Sequence, residues 1–412
     1  MGPSTAPSVR IVAVALAVTL GAQTLAAFGV HSPAVFGPIA TRDLGLSADK
    51  VGAFVTISYG AAMLVGLASP AVIGRHGPLR TVQLSVVFLA IGLLFGAFGA
   101  IWSVIVAAIL TGVGNGLVGP VSAQILAERS PRHLTSLIFS IKQTGVPLGG
   151  ALAGVILPAA VLTIGWQRSL VIAAVVYLVV AVAMQPLRAQ YDSGRNRNAR
   201  LDWRATVAQM RRSIAYSWND PRQRDLAIAG YAYVATQLTV MTYAVSYFNL
   251  ELGYSLVLAG FIYSAMQIAG IVGRIVWGAL GDRVRRPQRL LGLLGLASAI
   301  IAAVLALSSA QWPIWLVMTV GIAFGLTGVA WNGVYFSEVA RGVPREQVGQ
   351  AAGGALFFSF LGGITGPALF TLFAPGPSSY ALGFGLIGLT AAFAGVRLIV
   401  RARYLPVGRD AS

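Results

Sequence analysis

Apolar residues run along this chain in long blocks, and polar residues collect in the short gaps between them. A bilayer-spanning helix needs about 20 apolar residues at a rise of about 1.5 Å each. Twelve blocks reach that length: 11–38, 50–73, 80–98, 101–128, 135–162, 168–187, 224–249, 255–280, 289–309, 312–340, 347–373 and 378–402. Several exceed the minimum by a turn or more, which predicts tilt or kinking. The longest polar interval, 188–223, is Arg-rich and divides the blocks six and six. The pattern predicts an N-terminal six-helix bundle over 1–187, a linker over 188–223 and a C-terminal six-helix bundle over 224–412.

The two halves repeat. Leu110-Thr111-Gly112-Val113 with Asn115-Gly116 in span 4 echoes Leu326-Thr327-Gly328-Val329 with Asn332-Gly333 in span 10. Phe139-Ser140 before Gly145, Pro147 and Gly149 echoes Phe358-Ser359 before Gly362, Gly363, Gly366 and Pro367. The shared order over two consecutive spans argues against chance similarity of apolar segments. The expected fold class is an all-α membrane protein with twelve transmembrane helices in two pseudo-symmetric bundles.

Composition agrees. The chain has 412 residues, 57% hydrophobic and 10% charged, with a mean hydropathy of +0.78. Soluble domains carry about 25% charged residues. The 49 glycines suit helices that pack closely in lipid. There is no Cys, which removes disulfides and thiolate metal sites. No cleavable signal peptide is expected, because the first apolar block outruns an ordinary signal core and has no clear small-residue cleavage site.

The net charge of +17 changes the picture through its placement. Nine Arg and four Asp fall between Arg188 and Asp225, and further Arg residues occupy alternate short connections. The opposite connections hold Arg42, Lys50 and Arg168 against Asp43, Asp49 and Glu251. This is the positive-inside pattern, and it predicts a bacterial inner membrane protein with both termini and the linker in the cytoplasm. Nucleic acid is not an expected partner, since the Arg residues carry no interleaved aromatic platform.

Gly278-Ala279-Leu280-Gly281-Asp282-Arg283 followed by Arg285-Arg286 lies between spans 8 and 9. It resembles the G-x-L-x-D-R-x-x-R loop of the major facilitator superfamily. The matching first-half loop, Gly74-Arg75-His76-Gly77-Pro78-Leu79-Arg80, keeps the basic residues but has Gly74 where the acid would stand. The span-4 Arg of proton-driven drug exporters is absent, with Gly112 in its place. The resemblance implies a secondary transporter whose halves rock about a central site, lined by spans 1, 4, 7 and 10.

Two charges lie deep in apolar blocks, and both are cations: Lys142 and Arg274. A charge at that depth costs at least about 2.5–3.5 kcal/mol. Lys142 lies about seven residues, or roughly 10 Å, inside span 5, beyond easy snorkelling reach. Arg274 lies eight residues before Asp282, too far along a helix for a direct pair. Its placement after Gly270 and Gly273 resembles the span-8 Arg of superfamily members that carry monocarboxylates, oxalate or nitrate. Its planar fork matches a carboxylate bidentately. The plainer reading makes each cation structural, held by backbone carbonyls.

Further candidate substrate-binding residues are Gln143, Asn115, Asn332, Gln237, Tyr243, Tyr335, Trp331, Tyr59 and Tyr263, each of which could equally bond a neighbouring helix. Asp282, Arg283, Glu128 and Glu338 close their spans on the cytoplasmic side and are candidate gating residues, the two Glu pairing with Arg of the loop motif. His31 is a candidate for proton coupling. No metal site, catalytic triad or nucleotide fingerprint appears, so no cofactor and no enzymatic activity are expected.

The expected function is transport of a small organic anion, a mono- or dicarboxylate, by alternating access in a monomer embedded in the lipid bilayer. Arg274 would clamp one carboxylate and Lys142 would supply a second positive charge. The alternatives are efflux of neutral or amphipathic drugs, or a non-transporting membrane sensor. A cysteine introduced at position 46 of this Cys-free chain should react with an impermeant thiol reagent in intact cells, and one at position 200 should not. External labelling at 200 would reverse the topology.

Overall fold

The structure, a computed structural model, describes residues 9–131, 134–196, 202–341, 343–373 and 379–402. Both termini lie outside these residues. The described residues are helical and contain no strand. The helices are α1 Val9–Asp43, α2 Val51–His76, α3 Pro78–Ala97, α4 Ile101–Arg129, α5 Thr135–Gln143, α6 Gly145–Ile164, α7 Trp166–Ala183 and the short α8 Arg188–Tyr191. There follow α9 Trp203–Asn219, α10 Pro221–Ser246, α11 Leu256–Arg283, α12 Pro287–Ala306, α13 Ile314–Gly328, α14 Asn332–Ala340, α15 Val348–Phe373 and α16 Tyr380–Arg401.

Eleven helical stretches among the described residues are long and apolar enough to cross a membrane. The twelfth expected span is α10, 26 residues long and continued by a π-turn over Tyr247–Glu251. Its length suffices, but Thr236, Gln237, Thr239 and Thr242 make it too polar to qualify. These side chains are buried in protein. Thr236 Oγ1 donates to the Ile387 carbonyl of α16 at 3.1 Å. A helix surrounded by other helices need not be apolar, because its partners replace lipid.

Two expected spans are interrupted. Span 5 is α5 and α6, separated by a turn at Thr144. Span 10 is α13 and α14, separated by Val329, Ala330 and Trp331.

The chain forms two compact units. Unit 1 holds the residues up to Ser32 and Ile57–Thr206; unit 2 holds Pro33–Thr56 and the residues from Val207. Within each, glycines four apart let helix backbones meet, since i and i+4 share a face. In unit 1, Gly145 and Gly149 of α6 seat on the α1 carbonyls of Leu20 and Thr24, where an added Cβ would collide. In unit 2, Gly362 and Gly366 of α15 seat in the same way on the α10 carbonyls of Tyr231 and Ala235. The repeat visible in the sequence is thus also a repeat of packing. Gly112 and Gly116 of α4 likewise abut the Ser58 and Ala62 carbonyls of α2, and Ser58 Oγ donates to the Ala108 carbonyl at 3.0 Å.

The polar interval after span 6 has a fastening role in unit 1. Gly77, with φ +90°, begins α3 and offers no side chain to cap it. Asp192 supplies the cap from 113 residues away: its carboxylate accepts from the backbone N–H of Leu79 at 2.8 Å and of Arg80 at 3.2 Å. A Cβ at Gly77 would occupy the space of that carboxylate. Arg188 pairs with Asp192 at 3.3 Å. The Arg129 guanidinium stacks over the Tyr191 ring at 4.9 Å and donates to the Gln190 carbonyl at 2.7 Å. An acid absent from the first-half loop is therefore provided by the linker. Asp192→Ala should lower unfolding stability in detergent by about 1–3 kcal/mol, through the lost cap and the orphaned donors. Asp192→Asn should retain most of it, and equal losses in the two variants would assign the effect to the Arg188 pair.

Candidate functional site

In unit 1 the break in span 5 sets the position of Lys142. The α5 helix ends at Gln143, so Lys142 stands in its last turn, at the negative end of the helix dipole. The side chain is only 5% exposed. Its ammonium donates to Gln23 Oε1 of α1 at 2.6 Å and to Gln143 Oε1 at 3.3 Å. Gly145 makes room for this, since a Cβ there would press on Gln23 at about 3.0 Å. Gln23 was not among the sequence candidates; its only signal is an amide within an apolar block.

In unit 2 the break in span 10 sets the surroundings of Arg274. Gly270 and Gly273 of α11 lie against Val329, Ala330 and Leu326, as helix-packing contacts. That approach brings two donors of α11, Arg274 and Trp277, to carbonyls at the end of α13, and Asn332 adds a third from the start of α14. Arg274 Nε donates to the Val329 carbonyl at 3.2 Å, Asn332 Nδ2 to the same oxygen at 3.2 Å, and Trp277 Nε1 to the Leu326 carbonyl at 2.6 Å. Arg274 itself is half-buried. Each unit therefore holds a cation at the point where a span is broken.

Other candidates divide between this region and elsewhere. Trp331, in the break, donates through Nε1 to Gln237 Oε1 of α10 at 3.0 Å. Its ring meets Tyr233 and Tyr335 edge-on, at 5.4 and 5.1 Å between centroids. The Tyr335 hydroxyl reaches α10 at Gly230, where a side chain would exclude it. Arg274, Asn332, Trp331, Gln237 and Tyr335 thus form one connected region around residues 329–332. Tyr263 is buried on α11 and accepts from Gln267 Nε2 at 3.0 Å. His31, Tyr59 and Asn115 lie on α1, α2 and α4, with His31 buried and the other two half-buried.

Tyr243 lies elsewhere in unit 2. Its ring stacks on Phe370 at 3.9 Å between centroids. Its hydroxyl is 2.8 Å from Thr371 Oγ1 and 3.1 Å from both the Asp49 and Pro367 carbonyls. Thr371 Oγ1 also donates to Asp49 O at 3.2 Å, and Thr56 Oγ1 to the Ile364 carbonyl at 3.1 Å. Gly52 permits this arrangement, as a Cβ there would overlap the Tyr243 hydroxyl. Tyr243 serves to tie the connection before α2 onto α15.

Glu338 is buried at the end of α14 and paired with Arg222 at 3.0 Å and Arg341 at 2.7 Å. Its partners are thus not the loop-motif arginines expected from the sequence. Of those, Arg286 donates to the Ala402 carbonyl beyond α16 at 2.9 Å. Glu128 is exposed and accepts from Gln124 at 2.9 Å. Asp282 and Arg283 are exposed at the end of α11. Among the described residues no group of three or more His, Asp or Glu could hold a metal ion.

Long apolar helices, repeated in packing between two units, and polar groups gathered at helix breaks define a helical membrane transporter. The family model described as Major Facilitator Superfamily matches residues 19–367, and the chain belongs to that family. It is 24% identical over 394 residues to a hexuronate transporter of Bacillus subtilis (strain 168), covering 92% of each chain. It is 23% identical over 211 residues to the membrane sensor protein UhpC of Escherichia coli (strain K12), covering 48% of each. Among solved structures it is similar to a peptide transporter, POT, in complex with sulfate. There the TM-score is 0.76 at 19% identity, over 99% of this chain and 97% of the other.

The Tyr243 hydroxyl provides a check on placement. Tyr243→Phe keeps the ring stack and removes one hydrogen-bonding group, worth about 1 kcal/mol. Hydrogen exchange of the backbone over 48–53 should accelerate about fivefold, with helix content unchanged. Unchanged exchange would mean the hydroxyl does not hold this segment.

Proposed function

We propose that the protein transports a small organic anion, a mono- or dicarboxylate, across the bacterial inner membrane by alternating access. The observation that carries this reading is the placement of Lys142 and Arg274, one in each unit, at breaks in spans 5 and 10. Transporter sites are commonly built at discontinuous helices, where freed backbone and inward side chains can meet a ligand. Arg274 donates through Nε to the Val329 carbonyl, and its planar fork would match a carboxylate. Lys142 contributes a compact point charge set by two amide oxygens. Gln237, Asn332, Trp331 and Tyr335 would read the body of the substrate, with gating by Glu338, Glu128, Asp282 and Arg283. The likeness to a hexuronate transporter supports a carboxylate, since a hexuronate is a sugar acid. The charge asymmetry of the connections supports cytoplasmic termini and a cytoplasmic linker.

A second reading, a membrane sensor that binds without flux, is favoured by the likeness to UhpC. Liposomes separate the two: accumulation or exchange of a labelled carboxylate supports transport, and saturable binding without flux supports sensing.

The cations give the sharper test. Arg274→Lys should be severely damaging although the charge is kept, because a point charge cannot reproduce the fork. A lost charge pair of this kind costs about 2–5 kcal/mol, or roughly 30-fold to several thousand-fold in affinity. Lys142→Arg should be milder than Lys142→Ala, and Lys142→Gln should weaken a dianion more than a monoanion. Binding and uptake of a panel of carboxylates measures this. Wild-type anion binding by folded Arg274→Ala protein would remove the anion site and favour an apolar drug.

A further inference from the structure

The helix α9 carries more than a connection requires. Asp202 caps it, accepting from the Ala205 N–H at 3.1 Å. It holds Arg204, Arg211 and Arg212 and no acid. One face is docked: Ser213 and Ser217 are buried against Gly353 and Gly354 of α15, where a Cβ would collide with Ser217 Oγ and the Ser213 carbonyl. The Trp218 ring stacks on Phe358 at 5.7 Å between centroids. These α15 residues lie within about three turns of the helix start, or roughly 8–15 Å along its axis. The dock therefore lies near the membrane end of a spanning helix.

The edge beside the dock, which meets it at Trp218, is unusual in composition. At 3.6 residues per turn, Trp203, Val207, Ile214 and Trp218 fall along one stripe. Trp203 is 54% exposed, Val207 42% and Trp218 49%. Arg204 and Arg211, both exposed, fall beside that stripe and away from the docked serines. In water this stripe would be costly. At a lipid boundary, Trp rings and aliphatic groups enter the upper acyl region while Arg stays with the phosphates. The adjacency of apolar stripe and cationic ridge fits one partner, a membrane surface bearing negative charge.

We propose that α9 is an interfacial helix whose Trp203–Val207–Ile214–Trp218 edge seats at the headgroup–acyl boundary while Arg204 and Arg211 hold anionic phospholipid headgroups. The glycine–serine dock transmits that attachment to α15, so membrane charge bears on a helix of the transporting bundle. The inference does not depend on the substrate class.

The full-length protein, which lacks Cys, tests it in vesicles. A fluorophore is placed through Val207→Cys, and through Arg212→Cys as a control on another face. The vesicles contain phosphatidylcholine with an equal fraction of either brominated phosphatidylglycerol or brominated phosphatidylcholine. The label at 207 should be quenched by brominated lipid, more by phosphatidylglycerol, and the label at 212 by aqueous iodide. Arg204→Gln and Arg211→Gln should each lower the preference for phosphatidylglycerol about fivefold, with the unfolding temperature unchanged. Quenching at 207 by iodide alone would put the helix in water and overturn the proposal. Shielding from both quenchers would mean that a second protein chain covers the edge, and would also overturn it. A preference unchanged in the double variant would remove the headgroup role of the arginines.

Discussion

A polar backbone group freed inside a bilayer has no water to meet, and must find its partner in the protein. That requirement governs the two places where this chain interrupts a span. At the span-10 break the end of α13 is met by Arg274, Asn332 and Trp277. At the span-5 break Thr144 donates through its backbone N–H and its hydroxyl to the Ile141 carbonyl, beside Lys142. The two breaks are met differently: at span 10 side-chain donors take the freed carbonyls, whereas at span 5 Thr144 bonds the Ile141 carbonyl and the Lys142 ammonium is held by the Gln23 and Gln143 amide oxygens. Each unit thus carries a cation beside a break, and the proposed anion site is built on those two.

Glycine supplies the second condition. Donors reach the span-10 break because Gly270 and Gly273 bring α11 against it, and Gln23 reaches Lys142 because Gly145 leaves space. In lipid, helices gain little by burying apolar surface, so close backbone approach and dispersion carry the association. Placing polar groups and packing helices are thus served by the same small residues. Substituting them would displace a donor as well as separate two helices.

How far this was legible in the sequence depends on the range of each interaction. Block length and polar gaps gave the helices, because hydropathy is a local property. Lys142 and Arg274 were conspicuous because a charge in an apolar block has no neutral background to hide in. The repeat in spans 4, 5, 10 and 11 was readable, and its packing counterpart, two glycines on a neighbouring backbone, follows from spacing. The break at 329–331 carries no proline and gave no local signal. Asp192 capping α3 could not be foreseen, since donor and acceptor lie 113 residues apart. Tyr243 could bind a ligand or bond a neighbouring helix as far as the sequence goes, and the partners its hydroxyl has, Asp49, Pro367 and Thr371, lie far from it along the chain. A polar side chain in a span announces that it has a partner without saying which.

The polarity of α10 has a consequence for how the chain is made. Helices enter the membrane in order of synthesis, and each is first judged by its own affinity for lipid. When α10 emerges, Trp331 of the span-10 break, which donates to Gln237, and Ile387 of α16, which accepts from Thr236, have not been translated. The helix must then wait in a poorly matched environment, beside the earlier helices or the insertion machinery, until its partners arrive. The second half therefore matures as a set rather than helix by helix.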